Sequence, residues 1–107
     1  MTKEYTVNKQ IRPAHPGQVL SGILEDLNLT QGELAKRIKT SRQTINAIIN
    51  ARQPITVDLA IRLGIFCGNG PDIWLNLQRA VDLWDEQHKP RRKKLYASIK
   101  PIDVVAL

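Results

Sequence analysis

Residues 27–50, LNLTQGELAKRIKTSRQTINAIIN, constrain this chain more tightly than any other stretch. Thr30 stands three residues before Glu33. At that spacing each side chain can satisfy a free backbone N–H at the start of a helix, the capping-box arrangement. The helix so opened turns Leu34, Ala35 and Ile38 inward. A break at Lys39 and Thr40 is followed by Ser41, a good N-cap for a second helix carrying on to about Ala51. Stepping ~100° per residue from Arg42 puts Ile45, Ile48 and Ile49 on one side of that second helix. Arg42, Gln43, Asn46 and Asn50 gather on another. Two short helices with a tight turn and a polar outer face on the second fit a helix-turn-helix, whose second helix enters the DNA major groove.

The projecting side chains suit that task chemically. Arginine bonds bidentately to guanine O6 and N7, and glutamine or asparagine to adenine N6 and N7, each pair discriminating by ~1–3 kcal/mol. Arg42, Gln43 and Asn46 lie in the first turn or so of the helix, the end that reaches base edges in this motif. Gln31, Ser41, Asn50 and Arg52 are placed to hold the DNA backbone and set register, and Thr44 to pack or touch a phosphate. The competing reading is that a polar helix face is simply solvated. The capped pair, the small Ala35 where the helices approach and the local charge together favour docking on DNA.

That charge is segregated. Residues 30–52 carry Lys36, Arg37, Lys39, Arg42 and Arg52 against Glu33, a local +4. Residues 89–100 carry Lys89, Arg91, Arg92, Lys93, Lys94 and Lys100 with no acid, a further +6. The total is +6, so the rest of the chain sums to −4. Confining positive charge to the reading unit and a tail suits a polyanion partner, because neutralised phosphates release counterions.

The remaining sequence organises around this unit. At 107 residues the chain has the length of one domain with a modest core and little room for a large catalytic cleft. Residues 1–14 are polar, with Tyr5 and Val7 alternating against Thr6 and Asn8, and form an extended arm or short edge strand. Pro16 and Gly17 open a first helix whose core stripe is Val19, Leu20, Ile23, Leu24 and Leu27, ended by Asn28. After Pro54, a fourth helix is capped by Thr56 and stopped by Gly68, with Leu59, Ala60, Leu63 and Phe66 facing the core and Gly64 weakening its interior. Pro71 suits the first position of a fifth helix running to about His88, closed by Pro90. The expected architecture is therefore all-α: a five-helix repressor-like domain over residues 15–89, an N-terminal arm over 1–14 and a basic C-terminal tail over 90–107. The end of that tail, LYASIKPIDVVAL, is open to strand, partner-binding or disordered readings.

On the fifth helix, Ile73, Trp74, Leu77, Ala80, Val81 and Trp84 collect into one stripe, which reads as core. Leu75 falls nearly opposite, beside Arg79 and Asp82, with Leu83 on a flank, a pattern that marks a contact with a second chain, most simply in a symmetric dimer. A lone exposed leucine is the plainer alternative. Cys67, the single cysteine, has only His15 and His88 as companions and reads as a small buried residue, with no metal or cofactor implied. Asp82, Asp85 and Glu86 lack a partner nucleophile or ligand set, which argues against an enzyme. Apolar runs fall short of the ~18 residues of a membrane span and the N-terminus lacks a signal-type apolar core, so a soluble, cytoplasmic protein is expected.

Four segments together carry a resemblance: HPG at 15–17, TQGELAKRI followed by SRQTINAIIN, the IRL of the fourth helix, and PDIWLNLQ at 71–78. Over roughly residues 15–88 the chain resembles the HigA antitoxins of bacterial toxin–antitoxin modules, within the wider phage-repressor-like helix-turn-helix group. The resemblance implies a homodimer that binds an operator in its own promoter and neutralises a RelE-like (HigB-type) toxin that cleaves mRNA on the ribosome. It implies recognition roles for Arg42, Gln43 and Asn46 and phosphate contacts for Gln31, Ser41, Asn50 and Arg52. Two positions depart from the family pattern: Lys39 stands where the turn usually has glycine, and Ala51 where glycine often follows the third helix. A free-standing repressor without a toxin shares every DNA-reading feature. An inhibitor that binds protein and has lost its operator is the other alternative.

Overall fold

The computed structural model describes residues 11–103. The expected arm strand around Tyr5 and Val7, and the last residues of the tail, lie outside them. The described residues form helices α1 (Pro16–Leu27), α2 (Gln31–Arg37), α3 (Arg42–Ile49), α4 (Val57–Cys67), α5 (Asp72–Gln87) and α6 (Pro90–Ser98). None is long and apolar enough to cross a membrane.

Local chemistry sets most helix ends. The Oγ1 of Thr30 accepts the Glu33 N–H at 3.1 Å while the Glu33 carboxylate accepts the Thr30 N–H at 2.9 Å, completing the box. The Thr30 N–H, and after it the Thr30 hydroxyl, favour the ionised form and hold the Glu33 carboxyl below the usual carboxylate range. Ser41 and Thr56 cap α3 and α4 with one such bond each, their hydroxyls accepting the Thr44 and Leu59 N–H groups. Asn28 and Gly68 end α1 and α4 in the left-handed conformation. The third helix stops earlier than expected, at Ile49, because Ala51 also adopts a left-handed backbone with φ 58°.

The core is one cluster at the junction of α1 to α5, with Leu20, Leu34, Ile45, Ile48 and Leu63 all at 0% exposure. Burying each such side chain stabilises by about 1.5–3 kcal/mol. The expected stripe on α1 is partly corrected. Leu20 and Leu24 are buried and Val19 and Ile23 half-buried, but Leu27 is exposed, beside Asp26 and Phe66 in an open hollow. Phe66 is itself only half-buried.

Three further expectations are overturned. First, there is a sixth helix: Pro90 opens α6 rather than merely closing α5. Proline at the first helical position surrenders an N–H that would have no partner anyway, and the following Arg, Lys, Leu and Ala are good helix formers. Second, the inward face of α5 is centred on Trp74, Gln78 and Val81; Ile73 and Ala80 are exposed and Leu75 is half-buried against the core. The cause is a polar bond. The Gln78 Oε1 accepts the buried Ile55 N–H at 2.8 Å, so α5 must present a glutamine to the α3–α4 loop. Third, Gly64 is a packing requirement rather than a weakness. A Cβ there would lie 2.3 Å from the carbonyl carbon of Gly70, where the α4–α5 turn folds back over α4.

Candidate nucleic-acid interface

Placing α3 depends on its neighbours, beginning with residues 15–17. His15 caps α1 through Nδ1, which accepts the Gly17 N–H at 2.9 Å, and the Gln18 side chain returns the bond to the His15 N–H at 3.1 Å. Burial lowers the His15 pKa, keeping the ring neutral and able to accept. Pro16 takes the first helical position. Gly17 then lets α1 meet α3 backbone to backbone, for a Cβ there would stand 2.1 Å from the Ile48 carbonyl oxygen. The His-Pro-Gly triplet is thus a helix start and a contact point in one. The signal available in the sequence was Gln18, three residues after His15, although histidine is outside the usual capping set.

The α2–α3 turn is held with equal care. Lys39 adopts a left-handed backbone with φ 60°, at a cost of about 1 kcal/mol for a residue other than glycine. The Thr40 N–H reaches back to the Ala35 carbonyl at 2.9 Å. From α4, the Arg62 guanidinium donates to the carbonyls of Ile38 and Lys39 at 3.0 and 2.6 Å and pairs with Asp58 at 3.0 Å. Arg62 therefore clamps the orphaned carbonyls at the end of α2, a role with no signal in the chain beyond its place in the IRL triplet.

With Ile45 and Ile48 fully buried, the opposite side of α3 faces solvent. Arg42, Gln43, Asn46 and Arg52 line a shallow hollow of about 390 Å³ on it. Arg42 and Gln43 are exposed, with no side-chain hydrogen bond among the described residues. Asn46 is different. Its Nδ2 donates to the Gln31 Oε1 at 3.1 Å and its Oδ1 accepts from Arg52 at 2.7 Å, so residues from α2, α3 and the following loop fix one amide plane. One Nδ2 hydrogen and one Oδ1 lone pair remain for a second partner. The Ser41 Oγ caps α3 and lies 2.9 Å from the Thr44 Oγ1, while the Asn50 Nδ2 donates to the Asn46 carbonyl at 2.9 Å. Gln31 and Thr44 are half-buried, Ser41, Asn50 and Arg52 exposed.

On α5, Arg79, Asp82 and Leu83 are exposed, and with the half-buried Leu75 they line a groove that also takes in Ile55 and Glu86. Leu75 is thus not the outward residue its helical angle suggested; Leu83, 55% exposed, is. The Gln78 Nε2 donates to Asp82 at 2.9 Å. Nearby, Arg12 pairs bidentately with Asp85 at 2.7 and 2.9 Å, tying the segment before α1 to α5 and holding the Asp85 carboxyl below its ordinary range. Cys67 is a half-buried thiol whose pKa burial raises.

A helix-turn-helix family model matches residues 22–74. The chain is 35% identical over 94 residues to antitoxin HigA-1 of Vibrio cholerae, covering 87% of each protein. Among solved structures it is similar to a HigA-family addiction module antidote protein of Coxiella burnetii, with a TM-score of 0.80 and 36% identity over 86% of this chain and 100% of that one. It is also similar to antitoxin HigA of Pseudomonas aeruginosa solved with the higBA promoter, with a TM-score of 0.78 and 32% identity over 85% of this chain and 99% of that one. With α2 and α3 arranged as a helix-turn-helix and likeness over most of its length, the chain belongs to the HigA family of antitoxins, DNA-binding proteins and not enzymes.

Proposed function

We propose that this chain is the antitoxin of a type II toxin–antitoxin module, acting in the cytoplasm. It represses its own operon by sequence-specific operator binding and neutralises a RelE-like, mRNA-cleaving toxin. The observation that carries the DNA half of this reading is the face of α3: Arg42 and Gln43 without side-chain bonds among the described residues, and Asn46 held in one orientation with a donor and an acceptor to spare. Arg42 suits guanine, and Gln43 and Asn46 suit adenine. Gln31, Ser41, Thr44, Asn50 and Arg52 surround them as phosphate contacts that set register. The toxin half rests on likeness to the antitoxin of V. cholerae. A symmetric dimer through the α5 groove at Leu75, Arg79, Asp82 and Leu83 would present two copies of α3 to two half-sites.

Fluorescence anisotropy with the chain's own upstream region and a scrambled duplex tests the DNA reading. Arg42→Ala relaxes preference at one operator position by about 1–3 kcal/mol and leaves the scrambled duplex nearly unchanged. Arg52→Ala weakens both duplexes, and by releasing the Asn46 Oδ1 takes some preference for the operator with it. Equal losses on both duplexes for Arg42→Ala would overturn its role. Co-purification with the product of the adjacent gene tests the toxin half; operator binding without capture of that product would mark a free-standing repressor.

A further inference from the structure

We infer that α6 is a second nucleic-acid contact, a preformed helix that grips phosphates beside the site read by α3. The proposal rests on the DNA-binding reading above and adds to it an element outside the helix-turn-helix. Residues 89–100 hold six cations and no acid, and α6 folds most of them into a helix exposed along its whole length. A helix that buries nothing needs another reason for its position, and the contacts of Glu86 supply the position. That single carboxylate of α5 receives the Lys89 Nζ at 2.9 Å, the Arg92 Nε at 3.2 Å and the Tyr96 hydroxyl at 2.8 Å. All three sit on one side of α6 and hold it to the end of α5.

Sorting by partner divides the cations cleanly. Lys89 and Arg92 are engaged by Glu86, while Arg91, Lys93 and Lys94 make no ion pair among the described residues. At ~100° per residue, Arg91 and Lys94 lie on the side of α6 away from Glu86, with Lys93 on a flank. Three unpaired cations therefore project from a helix whose orientation the paired ones fix. Arg52, Gln53 and Pro54, which follow α3, share a hollow with Asp82 and Asp85 of α5, and α6 begins five residues beyond Asp85. Arg52 belongs to that hollow and to the hollow of Arg42, Gln43 and Asn46 alike, so the reading face of α3 adjoins, through Arg52, the part of α5 that leads into α6. Phosphate contacts of this kind add affinity and salt dependence without reading sequence.

The test compares salt dependence of binding to the upstream region for the full chain and for Arg91→Gln, Lys93→Gln and Lys94→Gln together. These side chains are exposed and make no ion pair among the described residues, so the fold is undisturbed, as circular dichroism would verify. Each phosphate contact contributes about 0.9 to the slope of log K against log salt, so losing three flattens it by about 2.7, equivalent to about 40-fold between 50 and 200 mM. Preference for the operator over a scrambled duplex is unchanged. Glu86→Gln, which removes the charge that holds Lys89 and Arg92 against α5, should shift the slope, whereas Asp26→Asn, an equal change in charge beside Phe66 and Asn69, leaves it alone. Flattening by one or more with preference retained supports the inference. A smaller change, or a shift for Asp26→Asn as large as for Glu86→Gln, overturns it. A wild-type slope in the triple variant, with wild-type protein retained on vesicles of phosphatidylserine and phosphatidylcholine, would assign α6 to a membrane surface instead. Failure of the unaltered chain to prefer its operator would sink the DNA reading itself.

Discussion

Gly17 and Gly22 lie five residues apart in α1, and the same substitution should move stability in opposite directions at the two positions. At Gly22 a Cβ meets nothing within 4 Å. Gly22→Ala therefore gains helix propensity and lowers unfolded-chain entropy, stabilising by about 0.5–1 kcal/mol. At Gly17 the new methyl would stand 2.1 Å from the Ile48 carbonyl oxygen and 3.0 Å from the Ile49 Cα, both backbone. No rotamer change relieves that clash; α1 and α3 must separate by more than 1 Å to restore ordinary contact. A radial gap of 0.5–1 Å forfeits a quarter to a half of each dispersion contact, and Leu20, Ile45 and Ile48 are the fully buried side chains between these helices. Set against a propensity gain of up to about 1 kcal/mol, Gly17→Ala is expected to destabilise by about 2–3 kcal/mol, the upper part of the overpacking range. At about 4–8 °C per kcal/mol for a domain of this size, its Tm falls by about 10 °C or more, while that of Gly22→Ala rises by a few degrees. Urea titrations followed by helical circular dichroism give both free energies. A neutral or stabilising Gly17→Ala would show that α1 and α3 do not meet as described, and the account of how α3 is aimed would go with it.

Ala51→Gly relieves a left-handed backbone at φ 58° and should stabilise by about 0.5–1 kcal/mol despite its entropic cost; a loss in chemical denaturation would contradict that. Arg62→Ala removes the clamp on the Ile38 and Lys39 carbonyls and should cost about 1–2 kcal/mol, the clamp being partly exposed. Operator affinity should fall further than the folded fraction alone explains, and a strictly proportional fall would deny Arg62 any part in setting α3. His15 titrates below its ordinary pKa when folded because burial disfavours the charged ring. The unfolded chain then takes up the proton first, so stability holds above about pH 6.5 and declines as pH falls below it. His15→Asn keeps a capping acceptor without the titration, and its stability between pH 7 and 5 should stay flatter than that of the wild type. Parallel pH profiles for the two proteins would refute the capping role.

The candidate site was legible where its chemistry is short-range. Thr30, Glu33 and Ser41 act on backbone groups three residues away, and the alternation of isoleucines with polar residues on α3 follows from helical periodicity alone. What was not legible involves partners distant in sequence. The amide plane of Asn46 is set by Gln31, fifteen residues earlier, and by Arg52 in the following loop. Reading Asn46 as a free projecting side chain overlooked that network. Leu75 seemed to face outward because angular counting gives Gln78 no reason to be buried.

Capping signals, helical period, turn glycines and the segregation of charge were properties of the chain itself, since each depends on neighbours within about one helical turn or on composition. They established an all-helical reading unit, the outward face of α3 and a basic segment after α5. Tertiary structure alone decided which face of α5 turns inward, why positions 17 and 64 admit no side chain, and that Pro90 begins a helix pinned by Glu86. Those outcomes turn on a glutamine meeting a loop N–H twenty-three residues away, on backbones in van der Waals contact and on one carboxylate shared by three donors. Spacing along the chain cannot encode them, because the groups concerned become neighbours only after packing.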